Sequence, residues 1–252
     1  ADAPLIHDVS KRLAVPVLAT LTDRVDARNI LIAGSALSGL GTLLFGLFAT
    51  GLWSGILFNA MAAVGFAGAY MPGLKALTDR LAPGDSSRAI TLYTSSFSFG
   101  VGMSFLVSQL VAEAWSWRSA FLVTAIGPLV MLTVCLLLRP VKPAPASGRF
   151  LDFAPVFHNR KAMGFVLGYG AHCFELYGIR AWIVAFWTFV AAKSSGASLL
   201  TPIVVSVVFT LLAMPASILG NECARRLGRH RAISAMTLAS AAVALLLALF
   251  AH

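Results

Sequence analysis

Charge is scarce in this sequence. Only 12% of its 252 residues are Asp, Glu, Lys or Arg, where an ordinary soluble domain has roughly a quarter. Acidic residues are the scarcer sign, 10 against 19 Lys and Arg. Cysteine is nearly absent: Cys135, Cys173 and Cys223 lie in or beside apolar stretches and make no CxxC pair, so they are small core residues and exclude a disulfide scaffold. The chain also lacks a GxxxxGK phosphate loop, GxSxG, HExxH and GxGxxG. An enzyme is therefore not expected, and neither is a cofactor or a metal. What the chain has instead is apolar length. Hydrophobic residues make up 58%, and at roughly 20 per bilayer crossing they suffice for at most about seven spans.

Seven apolar segments are long enough to span, at about 30–49, 52–74, 90–112, 119–138, 163–190, 199–221 and 232–251. The expected fold class is thus all-α integral membrane, with the lipid bilayer as a partner. Gly34, Ser38, Gly41 and Gly46 in the first segment permit the close helix approach that holds membrane bundles together. Residues 1–12 carry Asp2, His7, Asp8, Lys11 and Arg12 and do not read as a signal peptide.

The net charge of +9 would suggest a nucleic-acid partner if the basic residues formed one surface. They alternate between loops instead. Sixteen of the 19 occupy four stretches: Lys11 to Arg28, Lys75 to Arg88, Arg139 to Lys161, and Arg225 to Arg231. The intervening connections hold Arg118 and Lys193, and Arg180 lies within a span. Basic loops remain on the cytoplasmic side, so these four stretches are expected inside, facing anionic lipid, and no nucleic-acid role is expected. The expected location is a bacterial-type inner (cell) membrane.

The stretch 139–162 contains Pro140, Pro143, Pro145 and Gly148 and reads as a cytoplasmic linker. Two basic loops about 202 residues apart, Leu21 to Arg28 and Cys223 to Arg231, suggest two related halves. The first resembles the signature loop of the major facilitator superfamily of secondary transporters, G-x-L-a-D-R-x-G-R-[KR]. Leu21, Asp23, Arg24 and Arg28 match it, while Ala19, Asp26 and Ala27 depart from it. The second resembles that family's weaker copy at Gly228 and Arg229, with Arg225 where an Asp belongs. Trp117-Arg118-Ser119-Ala120-Phe121 is similar to the run that opens the family's sixth helix.

The resemblance implies a two-bundle transporter fold, with this chain covering the end of helix two to helix nine and thus a fragment or a gene-prediction artefact. The implied organisation is residues 1–138 in the N-terminal bundle, 139–162 as linker and 163–252 as a partial C-terminal bundle. It further implies that Asp23, Arg24, Arg28, Arg225, Gly228 and Arg229 belong to cytoplasmic gating loops. Asp26 in place of glycine serves a tight turn less well and adds a negative charge to that latch.

The fifth span is exceptional in carrying His172, Glu175 and Arg180. A charge at the centre of a bilayer costs at least about 2.5 to 3.5 kcal/mol, so these groups should face a polar cavity or partners. At 100° per residue Glu175 lies about 60° to one side of His172 and Arg180 about 80° to the other, which leaves the acid and the base badly placed to pair along the helix. Arg180 is thus a candidate site for an anionic substrate, and His172 and Glu175 are candidate proton carriers; all three could equally form a structural inter-helix network. His172 and Glu175 also form a lone H-x-x-E pair, without the second ligand set a metal site needs.

Asn59, Tyr93 and Ser96 are further pathway candidates, since the resemblance makes their helices line the cavity. The Ser/Thr set around Tyr93 has a plainer explanation in hydroxyls bonded to their own helix. Asn59 stands where the family often has an arginine, and Gly100-Val101-Gly102 lacks the proline of the antiporter element. The expected function is secondary transport of a small solute, anionic or organic and proton-coupled. A non-transporting membrane sensor or scaffold is the alternative.

Overall fold

The computed structural model describes residues 14–81, 86–143, 151, 153–193 and 200–250. Residues 1–12 and the linker's Pro145 and Gly148 lie outside them. Every regular element among the described residues is helical. The order is α1 (14–22), α2 (Ala27–Phe48), α3 (Leu52–Thr78), α4 (Ser86–Ala114), α5 (Trp117–Thr124), α6 (Ile126–Leu137), α7 (Ala154–His158), α8 (Arg160–Lys193), α9 (Pro202–Leu227) and α10 (Arg229–Phe250). With α5 and α6 taken together, seven helices among the described residues are long and apolar enough to cross a membrane.

The expected fourth span, 119–138, is one crossing, α5 and α6 running on through Ala125 with helical backbone angles. Pro128 is the source of a local departure from ideal helix there. It has no N–H to return to the Thr124 carbonyl, and its ring crowds that carbonyl. The expected basic loop 223–231 is another departure: α9 continues to Leu227 and α10 begins at Arg229, so Gly228 alone separates them. Its φ of 87° and ψ of 137° suit glycine, because a Cβ is strained there. Apolar content therefore marked the crossings but not the helix ends, which extend into basic residues.

The chain divides into two compact units, Ala1–Ser86 with Ser104–Pro155, and Ser87–Met103 with Val156–His252, so that α4 contributes to both. In the first unit α2 and α3 pack backbone to backbone. A Cβ on Gly34 would stand 2.6 Å from the Gly68 carbonyl carbon, and one on Gly41 2.6 Å from the Ala62 nitrogen. Gly65 is equally confined, between Ser38 and the Gly34 carbonyl. Such approach lets dispersion and weak backbone contacts hold helices where lipid removes the hydrophobic drive. Gly46 serves the other side of α2, facing Arg118, Phe121 and Leu122. At one end of the unit, Ala27, Leu31, Ala76 and Cys135 form a buried cluster joining α2, α3 and α6.

In the second unit α8, α9 and α10 leave most of their large apolar side chains exposed, Phe174 and Trp182 among them. Water would penalise such a surface, whereas lipid tails accept it. Asn159 caps α8 by accepting from the amides of Lys161 and Ala162 at 3.1 and 3.2 Å, and Thr201 caps α9 by accepting from Val204 at 3.3 Å.

Candidate functional site

The loop between α1 and α2 is a tight turn with Asp23 and Arg24 exposed. Its organising residue is Asp26. As the N-cap of α2 it accepts the Arg28 amide at 2.9 Å, and its other carboxylate oxygen accepts the Val141 amide at 2.8 Å. Arg80 Nη2, from just beyond α3, lies 3.8 Å from Asp26. It donates to the Arg139 carbonyl at 2.6 Å, while Nη1 donates to Ala76 at 2.9 Å. Arg28 completes the tie by donating to the Cys135 and Leu136 carbonyls at 3.2 and 3.0 Å. These are among the last carbonyls of α6, at the negative end of the helix dipole, and the Cys135 carbonyl also accepts the Leu138 amide at 3.3 Å.

Three helix ends are therefore fastened by one carboxylate and two guanidinium groups above the buried cluster. The motif marks Asp26 as a departure that serves a tight turn less well, whereas the structure makes it the N-cap of α2; Arg80 carries no motif signal. An Asp shortly before the apolar run that begins at Ile30 is itself a helix-start signal for that cap.

The opposite end of this unit uses the Trp117-Arg118-x-x-Phe121 run. Ser116 caps α5 by accepting the Ser119 amide at 3.2 Å, and Arg118 donates to the carbonyl of Ala49, the residue closing α2, at 3.3 Å. The Arg118 guanidinium also lies 5.2 Å from the centre of the Trp117 ring. Phe45 meets Phe121 at 4.4 Å between ring centres and Trp117 edge-on at 6.3 Å.

In the second unit, α4 meets α9 through two neighbouring pairs. The Ser87 hydroxyl donates to Asn221 Oδ1 at 3.1 Å, and Arg88 reaches Glu222 at 3.4 Å. Glu222 is shared with Arg225 and Arg226 at 3.5 and 3.7 Å, so one carboxylate serves three guanidinium groups. Arg225 thus joins an ion cluster, Gly228 makes the break after α9, and Arg229 opens α10 exposed. Higher on α4, Thr94, Ser95 and Ser96 donate to carbonyls of their own helix at 2.7 to 3.2 Å, which satisfies hydroxyls that face apolar surroundings. Tyr93 and Asn59 are partly buried, Asn59 in the first unit.

The three mid-span candidates of α8, His172, Glu175 and Arg180, do not pair with one another. His172 is exposed. Ser240 of α10 donates its hydroxyl to the Glu175 carboxylate. Arg180 is partly buried, with Nε and Nη2 shut off from solvent and lacking a hydrogen-bond acceptor among the described residues. Sequence spacing alone separated Glu175 from Arg180; Ser240 could not have been identified, because its span repeats Ala, Ser and Leu without an ionisable landmark.

Seven helices long and apolar enough to cross a membrane among the described residues, helix ends fastened by guanidinium groups and a span carrying polar groups suit a transporter. A family model described as Major Facilitator Superfamily matches residues 12–252. The chain belongs to the major facilitator superfamily. It is accordingly an integral membrane protein of a secondary-transporter family, and small-molecule solutes are the family's cargo. No solved structure matches the chain significantly. Within this superfamily member, the signature loop's departure at Asp26 is the residue that caps α2 and holds Val141.

Proposed function

We propose that the transporter containing this chain moves a small anionic or organic solute by alternating access, coupled to protons. Two bundles, residues 1–138 and 163–252 joined by 139–162, rock about a midplane site in a cell membrane, with the basic loops cytoplasmic. The observation that carries this reading is the separation of charge on α8, where Glu175 is held by a neutral hydroxyl and Arg180 has no acid partner among the described residues.

A carboxyl bonded to Ser240 gains or loses a proton without breaking an ion pair, which suits a proton carrier. The Arg180 guanidinium supplies attraction for an anion. His172, on the same helix, is a second carrier. Tyr93, Ser96 and Asn59 are assigned to the same pathway, and Asp23, Arg24, Arg28, Arg225, Gly228 and Arg229 to the cytoplasmic gate.

The test is uptake into proteoliposomes of the complete protein with an imposed pH gradient, using labelled carboxylates, phosphate and neutral sugars. The expected result is gradient-dependent accumulation of an anion. Solute binding with no flux under any gradient would point instead to a membrane sensor.

A further inference from the structure

Arg180 stands about 30 Å along α8 from Arg160 and about 20 Å from Lys193, at 1.5 Å per residue, so it is far from either basic end of its helix. Its two shielded nitrogens, Nε and Nη2, occupy one edge of the guanidinium group. Their N–H bonds run parallel. That edge is the one that meets two oxygens of a single carboxylate or phosphate, a geometry an ammonium group cannot reproduce.

Nothing among the described residues fills this role. No ion pair includes Arg180. Glu175, the acid on the same helix, lies about 140° away around the axis, and its carboxylate is engaged by Ser240. Two donors shielded from water without an acceptor are costly, and one oxyanion offers a partner to both.

We propose that the Nε/Nη2 edge of Arg180 is a bidentate oxyanion fork that takes two oxygens of one solute group, a carboxylate or a phosphate. This rests on the transport reading, since both nitrogens are covered and an anion reaches them only when the surrounding structure opens, as alternating access requires. The fork assigns chemistry more narrowly than positive charge does: it selects for paired oxygens in one plane and discriminates against an amide of the same size.

The experiment uses the complete protein in detergent and in proteoliposomes. Acetate, succinate and benzoate, their amides, and inorganic phosphate are compared by calorimetry and by thermal shift, for the wild type, Arg180→Lys and Arg180→Gln. At least one carboxylate, or phosphate, should bind the wild type while the amides do not, and the two arms tell which oxyanion the fork takes. Arg180→Lys should weaken that binding tenfold or more despite keeping the charge, and Arg180→Gln should abolish it.

Equal affinity in Arg180→Lys, or no preference for oxyanions over amides in the wild type, overturns the fork. The wild-type comparison stands by itself should either variant fail to fold. Flux separates this inference from the one beneath it. Transport of a neutral solute indifferent to Arg180 removes the fork and leaves the transporter, whereas Arg180-dependent oxyanion binding without flux of any solute removes the transport reading and leaves the fork.

Discussion

Asp26 accepts the amide of Val141 at 2.8 Å across 115 positions of sequence. The same carboxylate caps α2 through the Arg28 amide. One side chain thus starts a helix and anchors the segment that leaves α6, and it does so where the superfamily pattern has glycine.

Asp26→Ala should destabilise the protein by about 2 kcal/mol, the sum of a lost N-cap and a lost bond to a partly buried amide. Asp26→Gly should fall between Ala and the wild type, because glycine is a tolerable N-cap yet leaves Val141 unbonded. Thermal melting in detergent checks the order, and an unchanged melting temperature in Asp26→Ala would remove Asp26 from its organising role.

Gly65→Ala should be poorly tolerated. The added Cβ would meet Ser38 backbone and, at 2.7 Å, the Gly34 carbonyl oxygen, neither of which can turn aside as a flexible side chain would. Separating α2 from α3 should cost about 1 to 3 kcal/mol or more. Gly127→Ala is the control, since nothing lies within 4 Å of its Cβ position. The pair is compared by yield of monodisperse protein and by melting temperature.

Gly228→Ala should strain the only residue between α9 and α10. At φ 87° and ψ 137° the expected cost is about 1 to 3 kcal/mol. Limited proteolysis of membrane-embedded protein should show faster cleavage between Leu227 and Arg229 than in the wild type; equal rates would mean that the break relaxes at no cost.

Glu175→Gln keeps a group that can accept from Ser240 but cannot take up or release a proton. Accumulation driven by a pH gradient should be lost, while exchange of labelled for unlabelled solute at equal concentration continues. Ser240→Ala should leave gradient-driven accumulation in place, because the carboxyl itself remains and loses only its one described hydrogen-bond partner. Retained gradient-driven uptake in Glu175→Gln would end the proton-carrier role.

Much of the architecture was legible in advance because a membrane crossing is a matter of apolar length. The spans beginning at Leu52 and near Arg160 needed no tertiary information, and neither did the small residues of α2, whose spacing already implied close packing. The candidate site was only half legible. The 140° between Glu175 and Arg180 follows from helical geometry, but the identity of Ser240 depends on which face α10 presents to α8. The loop motif drew attention to Asp23 and Arg24, which are exposed, and away from Asp26, whose partner Val141 lies beyond α6.

By itself the sequence determined the class of molecule, the count of crossings and the family, because bilayer thickness and the scarcity of charge leave few alternatives for 252 residues of this composition. The tertiary structure alone decided which polar groups are satisfied. A hydrogen bond depends on distances of a few tenths of an ångström between residues far apart in the chain, and no local pattern encodes that Asp26 finds Val141, that Glu175 finds Ser240, or that Arg180 Nε and Nη2 find no acceptor among the described residues.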